Sequence, residues 1–138
     1  MPRARDAQVA ALPWRRSEAG AVEVLLITSR ETRRWVIPKG WPKSGEPAPV
    51  SAAREALEEA GIVGAIAAAP LGAYGYGKRL KSGELQPVEV EVYALQVVEE
   101  RETWPEVDQR EKLWIAPGEA AGLVDEPELK ALIAAFAP

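Results

Sequence analysis

Residues 50–60 combine an apolar face with an acidic face at helical spacing, and this segment constrains the fold most strongly. At about 100° per residue, the apolar side chains share one arc: Val50, Ala53, Ala56, Leu57 and Ala60. The opposite arc carries three carboxylates: Glu55, Glu58 and Glu59. Because Ala56 and Ala60 are small, the pattern predicts a helix that packs closely against a sheet and turns its acidic arc away from it.

The ends of this helix carry residues that suit helix boundaries. Pro47 and Pro49 fit a first turn, where a missing N–H group leaves no intrahelical bond unmade. Gly61 fits the left-handed position just past the last turn. The glycine- and proline-rich segment 38–49 predicts a loop. We therefore predict a loop followed by a helix over Val50–Ala60.

The remaining apolar segments predict strands and a second helix. We predict strands at residues 7–14, 23–28, 35–37, 88–98 and 112–116. The alternation of Val88, Val90 and Val92 shifts phase at Tyr93, which a β-bulge or burial on both faces explains. An i, i+3, i+4, i+7 pattern predicts an amphipathic C-terminal helix: Leu129, Leu132, Ile133 and Phe136. These elements indicate an α/β or α+β sandwich, and we expect residues 1–138 to form one domain.

The chain has no cysteine and no histidine, and this excludes several kinds of site. Disulfides, thiolate or imidazole zinc sites, cysteine nucleophiles and Ser-His-Asp triads are all ruled out. A metal site would consist of oxygen ligands, which favours Mg²⁺, Mn²⁺ or Ca²⁺. General acid–base catalysis would fall to Asp, Glu, Lys or Tyr.

The charge and the apolar segments of the chain limit its partners and its location. A net charge of −4 gives no general attraction to nucleic acid or to an anionic membrane, and we expect neither as a partner. The N-terminal MPRARDAQ lacks the apolar run of a signal peptide, and the apolar segment 62–73 is too short to span a bilayer. We therefore expect a cytoplasmic protein, as a monomer or a homodimer.

The three glutamates need an explanation, because like charges at helical spacing repel by about 0.2–0.5 kcal/mol per pair. A solvated acidic face is the usual one and a metal site is the alternative. The flanks favour the metal site, since Gly40, Glu46, Arg54 and Gly61 complete the pattern Gly-x5-Glu-x7-Arg-Glu-x-x-Glu-Glu-x-Gly. Seven fixed positions at residue frequencies near ~7% arise by chance about once in a million chains of this length.

This segment, Gly40 to Ile62, resembles the signature of the Nudix hydrolases. The resemblance implies an α/β/α sandwich with a mixed sheet, a catalytic loop–helix and a C-terminal helix. It also implies hydrolysis of a diphosphate linkage in a nucleoside diphosphate joined to another group, with Mg²⁺ as cofactor and Mn²⁺ as a substitute. On this resemblance the metal ligands are Glu55, Glu58 and Glu59, with the carbonyl of Gly40. Arg54 pairs with Glu46, and either Glu55 or Glu58 orients or deprotonates the attacking water.

Segments outside the signature resemble a narrower branch, the diphosphoinositol and diadenosine polyphosphate phosphohydrolases and their bacterial relatives. They are LLITSRETRRWVIPKGW, GAYGYGK and WPEVDQREKLW. The resemblance implies that basic residues hold the phosphates of a small phosphorylated substrate. The candidates are Ser29, Arg30, Lys39, Lys43, Lys78, Arg79 and Lys81. The segment 84–89 carries an acid where eukaryotic members carry bases, which favours a dinucleoside polyphosphate or a nucleoside diphosphate derivative over a diphosphoinositol polyphosphate. Hydrolysis of a diphosphoinositol polyphosphate or an ADP-sugar is the alternative.

Aromatic and acidic residues outside these sets give further candidates. Trp35 in a strand is more often a core residue, whereas Trp41 and Trp104 in predicted loops suit the rim of a pocket equally well. Glu106 and Glu111 are candidates for an additional metal ligand from a distal loop. A Nudix-type module that binds its ligand without hydrolysis, and a structural domain with an acidic helix, remain as alternative functions.

Overall fold

The computed structural model describes residues 6–138, which form an eight-stranded mixed sheet with helices on both faces. The strands are β1 (Asp6–Arg16), β2 (Val22–Thr28), β3 (Trp35–Val36), β4 (Lys39–Gly40), β5 (Ile62–Ile66), β6 (Gly72–Arg79), β7 (Leu85–Glu100) and β8 (Lys112–Ile115). The helices are α1 (Ala48–Ala60), α2 (Pro117–Ala121) and α3 (Pro127–Ala134). The start of the basic N-terminal segment, residues 1–5, lies outside the described residues.

The long strand β7 organises the sheet. β1 runs parallel to it, from the pair Asp6–Val88 to the pair Trp14–Gln96. β5 and β6 pair with β7 in the antiparallel sense, at its two ends. β2 and β4 pair with β1, and β2 also carries β3 and β8. One parallel pair among antiparallel pairs makes the sheet mixed.

Each face of the sheet carries its own apolar core. On one face, alternate residues of β1 and β7 pack against α2 and α3, where Leu129 and Ile133 are fully buried. On the other face, the remaining alternate residues pack against the small buried side chains of α1, which are Ala52, Ala56 and Ala60. The three-layer α/β/α sandwich is therefore confirmed.

The phase shift in β7 follows from these two cores. Val92 belongs to the core beneath α3, while Tyr93 belongs to the core beneath α1. Pairing with β1 continues through Tyr93 without interruption, so burial on both faces explains the shift. The bulge of β7 lies further along, where Val63 pairs with Glu99 but Gly64 pairs with Val97.

Several elements differ from the sequence prediction. Residues 39 and 40, predicted as loop, form β4, and α1 begins two residues earlier than predicted, at Ala48. Val50, predicted on the buried arc, is 47% exposed, because the buried face of α1 consists of other residues: Ser51, Ala52, Glu55, Ala56, Glu59 and Ala60. The prediction that the acidic arc turns away from the sheet is therefore wrong for Glu55 and Glu59. The sequence patterns predict neither β5 and β6, which are rich in glycine and alanine, nor the short helix α2.

The C-terminal helix is shorter than its apolar pattern suggests. α3 ends at Ala134, so Phe136 packs on the core from beyond the helix, against Trp14. Within residues 6–138, no helix has the length and apolar character needed to cross a membrane.

Candidate functional site

The glutamates Glu55, Glu58 and Glu59 form the acidic turn of α1, and two of them lie on the face of the helix that packs on the sheet. The fully buried Ala52, Ala56 and Ala60 allow a close approach, and it also buries two of the three glutamates. Glu55 is 8% exposed and Glu59 is 6% exposed, whereas the side chain of Glu58 is 37% exposed. Buried carboxylates need a nearby positive charge or hydrogen-bond donors, because burial alone disfavours their charged form.

Arg54 provides positive charge for this turn. Its Nη1 donates to Glu55 Oε2 at 2.8 Å and to Glu58 Oε2 at 3.3 Å, and its Nε donates to Glu46 Oε1 at 3.2 Å. Glu46 also accepts a short hydrogen bond from the Ser51 hydroxyl. The bond from Ser51 and then the contact with Arg54 lower the pKa of Glu46. Arg54 and Ser51 thus tie the loop that precedes α1 to the helix itself.

Gly40 lies directly against the carboxylate of Glu55. A Cβ atom at Gly40 would sit 2.5 Å and 2.6 Å from the two oxygens of that carboxylate, so only glycine fits here without a shift. The neighbouring Lys39 amide donates to Glu59 Oε1 at 3.3 Å. The two residues of β4 therefore bring the main chain to both buried carboxylates.

Glu59 connects the acidic turn to the other side of the site. Burial raises its pKa to about 8; Arg110 acts in the opposite direction, and the hydrogen-bonded Glu55 carboxyl raises the pKa further. Arg110 Nη2 lies 3.8 Å from Glu59 Oε1, and Arg110 Nε donates to Glu106 Oε1 at 2.9 Å. The amide of Glu106 in turn donates to the carbonyl of Glu58 at 3.1 Å. Glu106 is therefore held next to the acidic turn.

The residue types of this turn fit a hard divalent cation. Carboxylate oxygens that are buried next to each other are ligands of the kind that such cations prefer. Burial first, and then the neighbouring Glu55, raises the pKa of Glu59, so a nearby positive charge would favour its charged form. Arg54 supplies the positive charge between Glu55 and Glu58 in this structure. Across residues 6–138, no three acidic side chains already converge as a metal site. Cation binding would therefore require the side chains of Arg54 and the glutamates to rearrange.

A cleft of about 530 Å³ opens beside Glu59, between the β2–β3 turn and β6. Five of the seven proposed phosphate-binding residues line it: Ser29, Arg30, Lys39, Lys78 and Arg79. Lys43 and Lys81 are exposed and are not among the described residues that line the cleft. Lys43 lies in the loop before α1, and Lys81 lies in the turn between β6 and β7.

Lys39 forms part of the floor of the cleft. Its Nζ donates to the hydroxyl of Tyr76 at 3.2 Å, and that hydroxyl donates to Gln8 Oε1 at 2.8 Å. Burial lowers the pKa of Lys39, while nearby Glu59 raises it. Within residues 6–138 its ammonium makes this one hydrogen bond, which leaves two of its three N–H donors for an anionic ligand.

Ser29 lines the cleft and also makes hydrogen bonds within the β2–β3 turn. Its hydroxyl is 2.6 Å from the hydroxyl of Thr32 and accepts a hydrogen bond from the amide of Arg34 at 3.2 Å. These contacts lie within the β2–β3 turn, so Ser29 shapes the turn that presents Arg30 to the cleft.

The residues that line the cleft without having been predicted from the sequence include two arginines and a tyrosine: Arg34, Arg110 and Tyr76. Each lies inside one of the segments that resemble the narrower branch, and that resemblance was the available signal. Their roles depend on distant partners, since Arg34 donates to Glu126 Oε2 at 2.8 Å and Arg110 donates to the carbonyl of Thr28 at 3.1 Å. Such contacts cannot be read from local sequence.

The three tryptophans occupy other positions. Trp35 packs against the core, as predicted, and Trp41 is 42% exposed in the loop before α1. Trp104 packs its ring against Gly61, at the end of α1. Neither Trp41 nor Trp104 is among the described residues that line the cleft. Of the two distal acids, Glu106 lies beside the acidic turn, whereas Glu111 is exposed.

Comparison with known proteins agrees with this geometry. The NUDIX domain family model matches residues 5–136. Nudix hydrolase 16, mitochondrial, of Arabidopsis thaliana is 38% identical over 125 residues, which are 87% of this chain and 69% of the relative. Nudix hydrolase 12, mitochondrial, of the same plant is 36% identical over 105 residues, which are 74% of this chain and 52% of the relative. The chain thus spans about half to two thirds of the length of these relatives.

The fold is also found among solved structures. The crystal structure of C. elegans Ap4A hydrolase superposes with a TM-score of 0.66 at 22% sequence identity, and the match covers 95% of both chains. At this level of identity the comparison establishes a shared fold.

Proposed function

Because the chain belongs to the Nudix family, we propose that it hydrolyses a diphosphate linkage with the help of a divalent cation. The observation that carries this proposal is the acidic turn of α1. Of its three carboxylates, Glu59 lines a cleft with basic residues, and Glu55 is hydrogen-bonded to Glu59. Family members generally use divalent metals, and we propose Mg²⁺ here, with Mn²⁺ as a substitute.

In the proposed reaction the acidic turn would bind the cation, and the cleft would bind the substrate. Glu55, Glu58 and Glu59 would hold the cation together with the carbonyl of Gly40. Glu106, whose amide donates to the carbonyl of Glu58, would be the additional ligand from a distal loop. When bound, Mg²⁺ neutralises phosphate charge and lowers the pKa of a bound water. A carboxylate, Glu55 or Glu58, would orient that water or accept its proton, because the chain has no histidine.

The cations of the cleft would hold the substrate. Lys39 lies nearest the acidic turn, since its own amide contacts Glu59. Arg30 on one wall and Lys78 and Arg79 on the other extend the positive charge away from that turn. This arrangement suits a phosphate chain whose scissile linkage lies over the acidic turn and whose remaining phosphates follow the cleft.

We propose a dinucleoside polyphosphate or a related nucleoside diphosphate derivative as the substrate. The β6–β7 turn beside the cleft carries the exposed Glu84, an acid that opposes a densely phosphorylated ring. The fold shared with C. elegans Ap4A hydrolase is compatible with this choice. Diphosphoinositol polyphosphates and ADP-sugars are the substrates that a panel must distinguish from it.

The test is hydrolysis by the Glu58→Gln variant. Purified protein with Mg²⁺ is assayed against diadenosine polyphosphates, ADP-sugars, nucleoside triphosphates and diphosphoinositol phosphates, with product analysis. We expect Glu58→Gln to lose at least about 10²-fold in kcat, the scale of a removed acid–base or electrostatic group. Glu18→Gln, an exposed glutamate in the β1–β2 turn, is the matched control and should retain full activity.

Two outcomes would contradict the proposal. Full activity of Glu58→Gln would show that the acidic turn is not the reactive site. Tight binding of one ligand without turnover by the wild-type protein would indicate a non-hydrolytic module. A structural acidic helix is excluded if Mg²⁺ raises the melting temperature, because a ligand that binds only the folded state must stabilise it.

A further inference from the structure

Arg33 has a backbone conformation that its residue type does not favour. Its φ of +57° makes it the one non-glycine residue with positive φ among residues 6–138. An L-residue with a Cβ is strained in this region, and glycine or asparagine adopts it more readily. Strain of this kind persists only where the surrounding structure imposes it, and such residues often lie at functional sites.

The turn that contains Arg33 does not itself require an arginine. The amide of Arg33 donates to the carbonyl of Ser29 at 3.0 Å, and the amide of Ser29 donates to the carbonyl of Arg34 at 2.8 Å. These main-chain bonds close the β2–β3 turn and impose the left-handed residue. Glycine at position 33 would satisfy the same bonds with less strain, so the reason for arginine lies beyond the turn.

The side chain of Arg33 reaches the segment that joins β7 and β8. Its Nη1 donates to the carbonyl of Gln109 at 3.1 Å, and Nη1 of Arg30 donates to the side-chain oxygen of the same glutamine at 3.2 Å. Two arginines of one turn thus bind one residue, 76 and 79 positions further along the chain. We call this pair of contacts to Gln109 the arginine clasp.

The clasped segment is the one that contacts the acidic turn. The amide of Gln109 donates to the carbonyl of Glu106, and the amide of Glu106 donates to the carbonyl of Glu58. The next residue, Arg110, ion-pairs with Glu106 at 2.9 Å and faces Glu59 at 3.8 Å. A displacement of Gln109 would therefore move Glu106 and Arg110 relative to the glutamates of α1.

We propose that Arg33 is a positioning residue for the reaction. Through the arginine clasp it holds residues 101–111, and with them Glu106 and Arg110, against the acidic turn. The main-chain bonds of the turn impose its left-handed conformation, and from that conformation its side chain reaches Gln109. The effect on catalysis rests on the hydrolase function proposed above, whereas the effect on the order of the segment does not.

The test is Arg33→Gly, which removes the clasp contact and relieves the backbone at the same time. We expect an unfolding midpoint equal to or above that of the wild type, because glycine suits positive φ. We expect kcat to fall about fivefold, the factor that corresponds to one lost side-chain hydrogen bond, with a smaller change in KM. Amide hydrogen exchange at Glu106 and Gln109 should accelerate by about the same factor.

Two control variants separate positioning from a structural effect. Arg33→Lys keeps a donor for the Gln109 carbonyl and should restore part of kcat. Arg16→Ala removes a contact of the same kind, from Nη1 of Arg16 to the carbonyl of Gly20 in the β1–β2 turn, and should leave kcat unchanged.

The proposal is overturned if Arg33→Gly has wild-type kcat, whether or not exchange accelerates. It is also overturned if Arg33→Gly loses stability and activity in parallel and Arg33→Lys restores neither, since that marks a purely structural role. If the wild-type protein hydrolyses nothing, the hydrolase function fails. Unchanged exchange at Glu106 and Gln109 in Arg33→Gly would then reject the clasp separately.

Discussion

Replacement of Gly40 by alanine should inactivate the protein without unfolding it. Gly40 keeps its main chain in this variant, so its carbonyl and the β4 pairing with β1 are unchanged. The new atom is a single Cβ, 2.5 Å and 2.6 Å from the oxygens of the Glu55 carboxylate. Gly40 does not have the left-handed φ that favours glycine, so the effect of alanine is purely steric.

The size of the effect follows from this distance. A carbon atom needs about 3.5 Å from a neighbouring heavy atom, so the carboxylate of Glu55 must move by roughly 1 Å. A misplacement of 1 Å in a catalytic group lowers the rate about 10²-fold, or about 2.7 kcal/mol of transition-state stabilisation. The expected loss in the free energy of unfolding is about 1–3 kcal/mol, the usual range for overpacking.

The assay compares Gly40→Ala with Gly118→Ala. A Cβ added at Gly118 would meet no atom within 4 Å, and the residue has no positive φ, so its replacement tests glycine loss without a clash. Urea unfolding first establishes that both variants fold. Activity is then measured over a titration of Mg²⁺, and Gly40→Ala should show a lower kcat and a higher half-saturating Mg²⁺ concentration. Gly118→Ala should match the wild type.

A folded Gly40→Ala protein with kcat within twofold of the wild type would refute this reasoning. It would mean either that Glu55 moves away without consequence or that the acidic turn does not perform the chemistry. The Glu58→Gln variant distinguishes the two, because it removes a carboxylate oxygen charge without adding an atom near Glu55.

Two further predictions concern stability. Without divalent cations, the pKa of Glu59 is raised from 4.5 to about 8 in the folded state, so the folded protein favours the neutral carboxyl. The contribution of Glu59 to the free energy of unfolding is therefore complete below pH 4.5 and is lost as the pH rises through about 8. Urea unfolding in the presence of a chelator should show that the free energy of unfolding falls between pH 5 and 8, and that this fall is smaller in Glu59→Gln than in the wild type. An equal fall in the two proteins would contradict this prediction. Separately, Gly61→Ala places a Cβ against the ring of Trp104 at a φ of +69°, and should lower the free energy of unfolding by about 2–4 kcal/mol. A loss below 1 kcal/mol in urea unfolding would show that Trp104 moves aside freely.

The sequence predicts the acidic turn well because helix geometry fixes it locally. Residues at i, i+3 and i+4 share a face of any α-helix. The orientation of that face was predicted wrongly, because Glu55 and Glu59 are buried on the same face of α1 as its small alanines. The two cores on β7 are also visible locally, as the phase shift at Tyr93. The start of α1 and the pairing of Lys39 with β1 depend on the rest of the sheet, and there the prediction was wrong.

Strands β5 and β6 were not predicted from the sequence, and their composition explains why. Their glycines and alanines carry little strand preference, and the pairing with β7 supplies the hydrogen bonds that keep them extended. The same applies to Arg34 and Arg110, whose roles come from contacts with Glu126 and Thr28. A contact between residues 82 or 92 positions apart leaves no periodic signal in the chain.

The acidic turn depends on local helix geometry, whereas the cleft depends on contacts between distant segments, so the type of reaction and the choice of substrate rest on different parts of the fold. The acidic turn belongs to one helix, so its side chains keep their spacing whatever surrounds them. The cleft depends instead on register, because Tyr76 pairs with Val88 and Lys78 pairs with Gln86 across β6 and β7. A slip of one residue in that pairing would turn both side chains to the opposite face of the sheet. Substrate choice should therefore respond to changes in β6, the β2–β3 turn and residues 101–111, while the type of reaction should respond to changes in α1.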